Sequence, residues 1–437
     1  MAQFRTDTKK LDGSNLITRY EVMMLSDKLT PTGTMTDAFS RLRTSQPFTL
    51  FDSSHRYQLN SKFANTVSGT ATIEHKFHES AVNLNVNSSA GSRAYRESKR
   101  VFAYQPGKSM LVINTMKFNE PKTGLRQRVG YFNANNGVYL EMFGSNTYMV
   151  LRSQSSGTIS ERRVLQQDWN INTMANTSYA GQAASSTEWK NGLNLSKANI
   201  FWMDLEWLGV GAVRTGFFVD GTMVPAHTFY NDNANDTTYM TTAMLPIRYE
   251  IENVNATGSS STMKQICSSV ISEGGYELHG KSRSIGREIT NPKTLTTAGT
   301  YYPIVSIRLK DSRSDAIALL KEFAFFGRTN NTQYIYQLRI DPVLTSPSWV
   351  SAAADSPVEY DFSATAITGG TIAKMGYDNI AAGSGGNVIS LTSDQLFAYQ
   401  LERDPFRSSD RGLIVSLCAT GAGNGDLALG AITWEEV

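Results

Sequence analysis

Apolar and polar residues alternate along most of this chain. In "AVNLNVN", Val82, Leu84 and Val86 fall on one side and Asn83, Asn85 and Asn87 on the other, the period of a strand with one buried face. "PIRYEIEN" repeats the pattern, with Ile247, Tyr249 and Ile251 set against Arg248, Glu250 and Glu252. In "IFWMDLEW", Phe201, Met203, Leu205 and Trp207 share one face and Trp202, Asp204 and Glu206 the other. Asp220-Gly221 is a two-residue hairpin signal, because a type I′ turn needs positive φ at both central residues. "RVGYFNANNGVYLEMF" reads as a hairpin around Asn135-Asn136-Gly137, and "KRVFAYQ" and "SMLVINTMKF" as strands parted by the turn pair Pro106-Gly107. Roughly eight to twelve such strands between about 51 and 280 predict an antiparallel sandwich of the jelly-roll or lectin-like kind.

The stretch "HGKSRSIGREITNP" (279–292) is basic and poor in apolar residues, and reads as a connector. Strands resume after it, in "YYPIVSIRLK", "TQYIYQLRI", "PVEYDFSATAI", "GLIVSLCAT" and "DLALGAITWEEV". The apolar run of "DAIALLKEFAFFGRT" fits helix or strand, and its neighbours favour strand. Residues 1–50 show no sustained period of either kind. Leu16, Ile17, Tyr20, Met23, Met24, Phe39 and Leu42 are scattered apolar anchors there, suited to docking on the body or on a neighbouring subunit; a disordered terminus is the alternative. The expected architecture is all-β: an extended N-terminal docking arm (1–50), a jelly-roll or lectin-like β-sandwich (51–284) and a second β-sandwich (285–437).

Composition narrows the functional classes. The 437 residues carry 41 basic and 39 acidic side chains, a net charge of +2, which gives no concentrated basic footprint for nucleic acid. Charged residues make up 18%, below the usual ~25%, and Asn, Ser, Thr and Gly fill the surface instead. Cys267 and Cys418 are far apart and match no metal or redox spacing. The N-terminal residues lack the apolar core of a secretory signal, and no run approaches the ~18 apolar residues of a membrane span, so synthesis in a cytoplasm without membrane insertion is expected.

Few residues suggest chemistry. Asp204 and Glu206, two apart on one strand, are spaced roughly as the carboxyl pair of a sandwich glycosidase. The glycosidase pattern is the longer E-x-D-x-x-E, and Arg214 on the following strand offers a partner. His75 and His78 point to opposite faces of a strand and share no metal there. The loop "NDNAND" (231–236) clusters oxygen ligands that calcium favours, without the EF-hand pattern; Asn and Asp are also ordinary turn residues. "GAGNGD" (421–426) precedes a strand and not a helix, which makes it a hairpin loop rather than a phosphate cradle. The expectation is no enzyme, no cofactor and no bound metal.

Several segments, "DAFSRLRTSQPFTLFDSSHRY" (37–57), "KRVFAYQPGKSMLV" (99–112), "RQRVGYFNANNGVYLE" (126–141), "DLEWLGVGAVRTGFFVDG" (204–221) and "LPIRYEIEN" (245–253), occur in this order. With "GTYYPIVSIRL", "SWVSAAADSPVEYD", "YQLERD" and "ALGAITWEEV" further on, the chain resembles a family of virion structural proteins of tailed bacteriophages, notably of marine and cyanobacterial phages. The resemblance implies a tail, neck or capsid-associated protein, located in the virion, whose partners are copies of itself and other virion proteins, with no nucleic acid and no membrane. It carries no catalytic motif. Arg41, Arg43, Phe48, Phe51 and Tyr57 are the expected assembly-docking residues; the alternative is that they begin the first strand of the body. A host-surface glycan-binding module of a tail fibre is the competing function, with Trp189, Trp202 and Trp349 as candidate sugar-stacking rings, and a glycan-cleaving enzyme comes after it.

Overall fold

Wherever the alternation is cleanest, strands form and pair antiparallel. The structure, a computed structural model, describes residues 46–175, 192–277, 279–313, 315–380, 399–406 and 412–437, and elsewhere the backbone of a few short strands. The chain divides into two compact units, Met1–Gln46 and Pro47–Val437. In the first unit Asp7–Lys9 pairs antiparallel with Asn15–Ile17. The second holds four large sheets that pack in two pairs.

The first pair joins a seven-stranded sheet to an eight-stranded one. Across the seven-stranded sheet run Ser160–Leu165, Asn146–Ser153, Gly137–Phe143, Leu125–Phe132, Ile247–Asn253, Arg93–Ser98 and Phe63–Ser68. Across the eight-stranded sheet run Thr222–Phe229, Val213–Val219, Asn199–Leu205, Met110–Lys117, Ser261–Ser272, Ala81–Val86 and Thr72–Lys76, with Phe48–Ser53 also beside Ser261–Ser272. The chain crosses from sheet to sheet as it advances. Its last two strands here wedge between strands laid down earlier: Ile247–Asn253 between Leu125–Phe132 and Arg93–Ser98, and Ser261–Ser272 between Met110–Lys117 and Ala81–Val86. That is jelly-roll winding.

Inward residues of both sheets fill one core, among them Val129, Leu140 and Tyr249 from one side and Val112, Met203, Phe217 and Met263 from the other. Polar bonds cross it too. The Tyr249 hydroxyl donates to or accepts from Ser268 Oγ at 3.0 Å, and Arg96 Nη1 donates to Gln265 Oε1 at 2.7 Å. Arg96 is fully buried with no carboxylate partner, so burial pulls its guanidinium down to about 9; Asn65 Oδ1 and Asn60 O take its other donors. The Asp220-Gly221 hairpin forms as the sequence requires, with φ of 47° and 79° and Val219 opposite Thr222.

In the second pair, a five-stranded sheet centres on Asp426–Glu436, flanked by Lys281–Gly286 and Lys293–Leu295 on one side and Ala318–Gly327 on the other, with Asn387–Ser390 beyond. The six-stranded sheet runs Val350–Ser351, Val358–Asp361, Tyr302–Leu309, Val415–Gly421, Thr332–Ile340 and Thr371–Ile380. Ile307, Phe323, Phe325, Tyr334, Leu338, Leu417, Ile432 and Trp434 build the core between them.

Three local expectations need correction. Residues 101–104, expected in a strand, are not in one. They cross between the sheets with both faces buried: Phe102 and Tyr104 enter the first core, while Val101 and Ala103 meet Ile317 and Leu319 of the second sandwich. The backbone is held outside any ladder, by Gln400 Nε2 donating to Val101 O (2.9 Å) and Arg403 N to Lys99 O (3.0 Å). The basic connector supplies the strand Lys281–Gly286, whose partner lies at the other end of the sandwich in sequence. The loop 421–426 is a corner between two sheets rather than a hairpin, and Asp426 pins it by accepting from Gly423 N (2.8 Å) and Thr332 Oγ1 (3.0 Å).

Candidate functional site, an arginine–carboxylate plate

The outer face of the seven-stranded sheet concentrates the charge of the first sandwich. Alternation puts Arg126 and Arg128 outward on one strand, Arg248, Glu250 and Glu252 on the next, and Arg93, Tyr95 and Glu97 on the third. Register then sets opposite signs side by side, since Arg128 pairs across from Glu250 and Arg126 from Glu252. Arg126 Nη2 lies 2.7 Å from Glu252 and Arg248 Nη1 2.9 Å from Glu97, and Arg128 bonds Glu250. On the other flank Arg152 reaches Glu161 at 2.7 Å, and Arg163 grips Glu141.

Beneath these charges lies an apolar row of Phe132, Tyr139 and Val150, all fully buried. The guanidinium of Arg152 covers Tyr139 at 5.1 Å and Phe132 at 5.8 Å, Arg248 covers Tyr95 at 4.4 Å, and Arg163 covers Tyr148 at 4.6 Å. Stacked arginines shield the rings while their edges remain available to carboxylates. Burial alone would raise the Glu250 carboxyl; Arg128 and Arg248 outweigh it and hold the group at about 2. Burial pushes the Glu141 carboxyl up, against Arg163 and Arg128. Glu141 is fully buried, so this protonatable group has no route to a substrate.

Glu97 carries the plate into the second sandwich. Its carboxylate bonds Arg248 on one oxygen and Arg403, beyond the second core's Leu401, on the other. Arg100 and Glu402 pair at 2.8 Å nearby, and Tyr95 meets Phe406 edge-on at 4.7 Å. With Val101, Ala103, Ile317 and Leu319, these contacts clamp the two sandwiches together.

No protein-family model matches the chain, and no curated protein sequence matches it. Solved structures share its layering faintly. They include a protein of unknown function from Shewanella oneidensis MR-1 (9% identity, 55% of this chain and 91% of that one, TM-score 0.34). A Bacillus licheniformis β-glucanase aligns over 52% of this chain and 99% of its own, at 11% identity and a TM-score of 0.32. The CBM2 module of the Lactobacillus casei BL23 phage J-1 evolved Dit aligns over 54% and 100%, at 4% identity and a TM-score of 0.34. Likeness of that degree assigns no role.

Asp204 and Glu206 lie in different surroundings. Asp204 is buried and bonded to Arg214 on the next strand, and burial raises its carboxyl against that guanidinium. Glu206 stands exposed beyond the end of strand Asn199–Leu205. Trp202 is buried, lying over Gly216 with its Nε1 donating to Phe217 O, and Trp349 is half-buried under Arg308 at 4.4 Å; Trp189 lies outside the described residues. In the 231–236 loop Asn231 is spoken for, accepting from Arg162 Nη2 (2.8 Å) and donating to Gly211 O (2.7 Å). A cation taking Asn231 Oδ1 would have to displace a guanidinium. Among the described residues no three His, Cys, Asp or Glu side chains cluster as a metal site.

Of the expected docking residues, Arg41 and Arg43 lie outside the described residues. Phe48 and Phe51 sit in strand Phe48–Ser53, Phe48 beside Tyr276 and Phe51 buried against Phe63 and Phe102. Tyr57 is 72% exposed, with the Arg56 guanidinium 4.8 Å from its ring. A cavity of about 790 Å³ opens at one end of the first sandwich, lined by Glu120, Gln166, Asn194, Lys197 and Asn199 together with small and aliphatic residues. Its amides are partly engaged already, Asn199 Nδ2 donating to Asn194 O and Lys197 O. Sequence reasoning missed Glu97 and Arg403; the outward Arg93, Tyr95, Glu97 of "RAYRES" was the available signal.

Proposed function

We propose that this chain is a structural, non-catalytic component of a tailed-bacteriophage particle, a two-sandwich block that associates with copies of itself. The observation that carries the reading is the Glu97 clamp: one buried carboxylate ties the charged plate of the first sandwich to Arg403 of the second. Buried ion pairs of this kind fix geometry more than they add stability, which suits a part that must keep one shape within an assembly. The motifs quoted above, in their order, supply the phage context. Immunogold electron microscopy with antibodies against the recombinant chain tests it. Label at one fixed position on intact or gently disrupted particles is expected; particles that stay unlabelled in both states, while their other proteins label, overturn it.

A second reading rests on the 790 Å³ cavity, whose size and polar lining suit a host-surface glycan. Sugar sites ordinarily stack pyranose rings on aromatic side chains, and the cavity's lining has none among the described residues. Binding on a glycan array, abolished by Asn194→Ala, would favour this reading over the structural one.

A further inference from the structure

Buried arginines in this chain keep to a rule. Arg128 meets Glu250, Arg152 meets Glu161 at 2.7 Å, and Arg403 meets Glu97. Each guanidinium taken out of water has a carboxylate against it, because a buried charge without a counter-charge is strongly unfavourable. Arg96 breaks the rule. It is fully buried between the sheets of the first sandwich, and among the described residues no Asp or Glu bonds it. Its partners are neutral: Asn65 Oδ1 accepts from Nε at 2.6 Å, Gln265 Oε1 from Nη1 at 2.7 Å, and Asn60 O from Nη2 at 3.1 Å. Even pulled down to about 9 by burial, the group keeps its proton at neutral pH. A positive charge therefore stands in the core with nothing to balance it.

Donors are also left over beside it. Each terminal nitrogen of the guanidinium carries a second N–H. Gln265, fully buried, gives its oxygen to Arg96, and its Nε2 meets no acceptor. His55 is fully buried with neither ring nitrogen bonded, and lies close enough to Arg96 for the guanidinium to oppose its protonation. Phe63 packs against both, its ring 5.0 Å from the guanidinium carbon and 6.3 Å from the imidazole. Alternation sends the first two inward from facing sheets, Arg96 in step with Ala94 and Gln265 in step with Met263.

We propose that Arg96, Gln265 and His55 hold one chloride-sized anion inside the first sandwich, bound against the guanidinium. The anion supplies the counter-charge that the other buried arginines draw from carboxylates. It accepts from the second N–H groups of Arg96, from Gln265 Nε2 and from the one N–H of a neutral imidazole. Water would bring lone pairs but no charge. Phosphate or sulfate would bring more oxygens than these donors can satisfy. The larger cavities of the first sandwich open elsewhere, so the site suits an ion of one atom. Because all three side chains are fully buried, the ion is taken up as the sandwich closes and exchanges slowly afterwards. The site is independent of any place in a particle.

The test refolds the full chain from urea in sodium gluconate, sodium chloride or sodium bromide at equal ionic strength, and reads the thermal midpoint. Chloride and bromide are expected to raise it by about 2–5 °C over gluconate, saturating as the halide concentration grows. Gln265→Glu gives Arg96 a carboxylate in place of the ion, and this variant should lose the halide dependence. Crystals grown in bromide should show an anomalous peak beside the Arg96 guanidinium. Midpoints that ignore the halide overturn the site. So does a halide effect that persists undiminished in Gln265→Glu, or a set of anomalous peaks confined to the surface, which would mean an adventitious ion only. Should Gln265→Glu fail to fold, the position of the bromide peak decides.

Discussion

Glu97 is the residue on which the two sandwiches depend most directly. Glu97→Gln keeps its shape but leaves Arg248 and Arg403 without their shared charge, and removing one partner of a buried pair destabilises by about 3–5 kcal/mol. A urea midpoint lowered accordingly is the expected result; an unchanged midpoint would mean the clamp contributes nothing. A second effect belongs to two histidines. Burial drops His55 to about 3 and His227 to about 4, so the folded chain binds fewer protons than the unfolded one. Their stabilising contribution is present above about 6.5 and is lost as pH falls toward those values. Glu250, held at about 2, adds the same sign only below the ordinary carboxylate range, whereas Glu141 and Asp204, raised by burial, act in the opposite sense. Denaturation midpoints between pH 6.5 and 4.5 should therefore fall in the native chain and fall less in the His55→Gln/His227→Gln variant. None of this is visible in the sequence at single positions. "PIRYEIEN" shows that Glu250 faces outward, but only the register of strands far apart in the chain shows that Arg128 meets it.

At the scale of elements, the local signals that worked were those whose cause is local. Asp220-Gly221 forms its hairpin because backbone sterics alone select it, and Gly221→Ala should cost about 1–2 kcal/mol from the left-handed backbone, since open space surrounds the site. A thermal shift of the variant measures it. The alternation of "AVNLNVN" translated directly into a buried and a half-buried face, and that of "PIRYEIEN" into an apolar core face and a charged outer face. Residues 101–104 misled for an equally physical reason. Alternation reports which side is apolar, and here both sides are, because a second sandwich covers the outer one. Phe102→Ala should lower stability by about 3–5 kcal/mol through the first core, read as a shifted denaturation midpoint. Trp202 failed as a sugar platform through its neighbour: Gly216, opposite it in the sheet, leaves the space the indole fills.

For the whole molecule, the clamp and the apolar patch of Val101, Ala103, Ile317 and Leu319 predict one cooperative unfolding transition for both sandwiches. Val101→Asp places a charge in that patch, and calorimetry should then resolve two transitions; a single transition in the variant would show that other contacts hold the halves together. The all-β layering and the two cores were legible in the sequence because strand patterns are written in every few residues. The plate and the clamp were not, because each is a relation between segments. One such relation reaches beyond the folded state. Asp426–Glu436 is the strand around which the five-stranded sheet is built, yet its flank Lys281–Gly286 is made some 150 residues earlier, Lys281 lying opposite Glu436. On a ribosome the first sandwich can close while the second still waits with unsatisfied strand edges, so the interval before Glu436 emerges is when this chain is most open to mispairing and most in need of a chaperone.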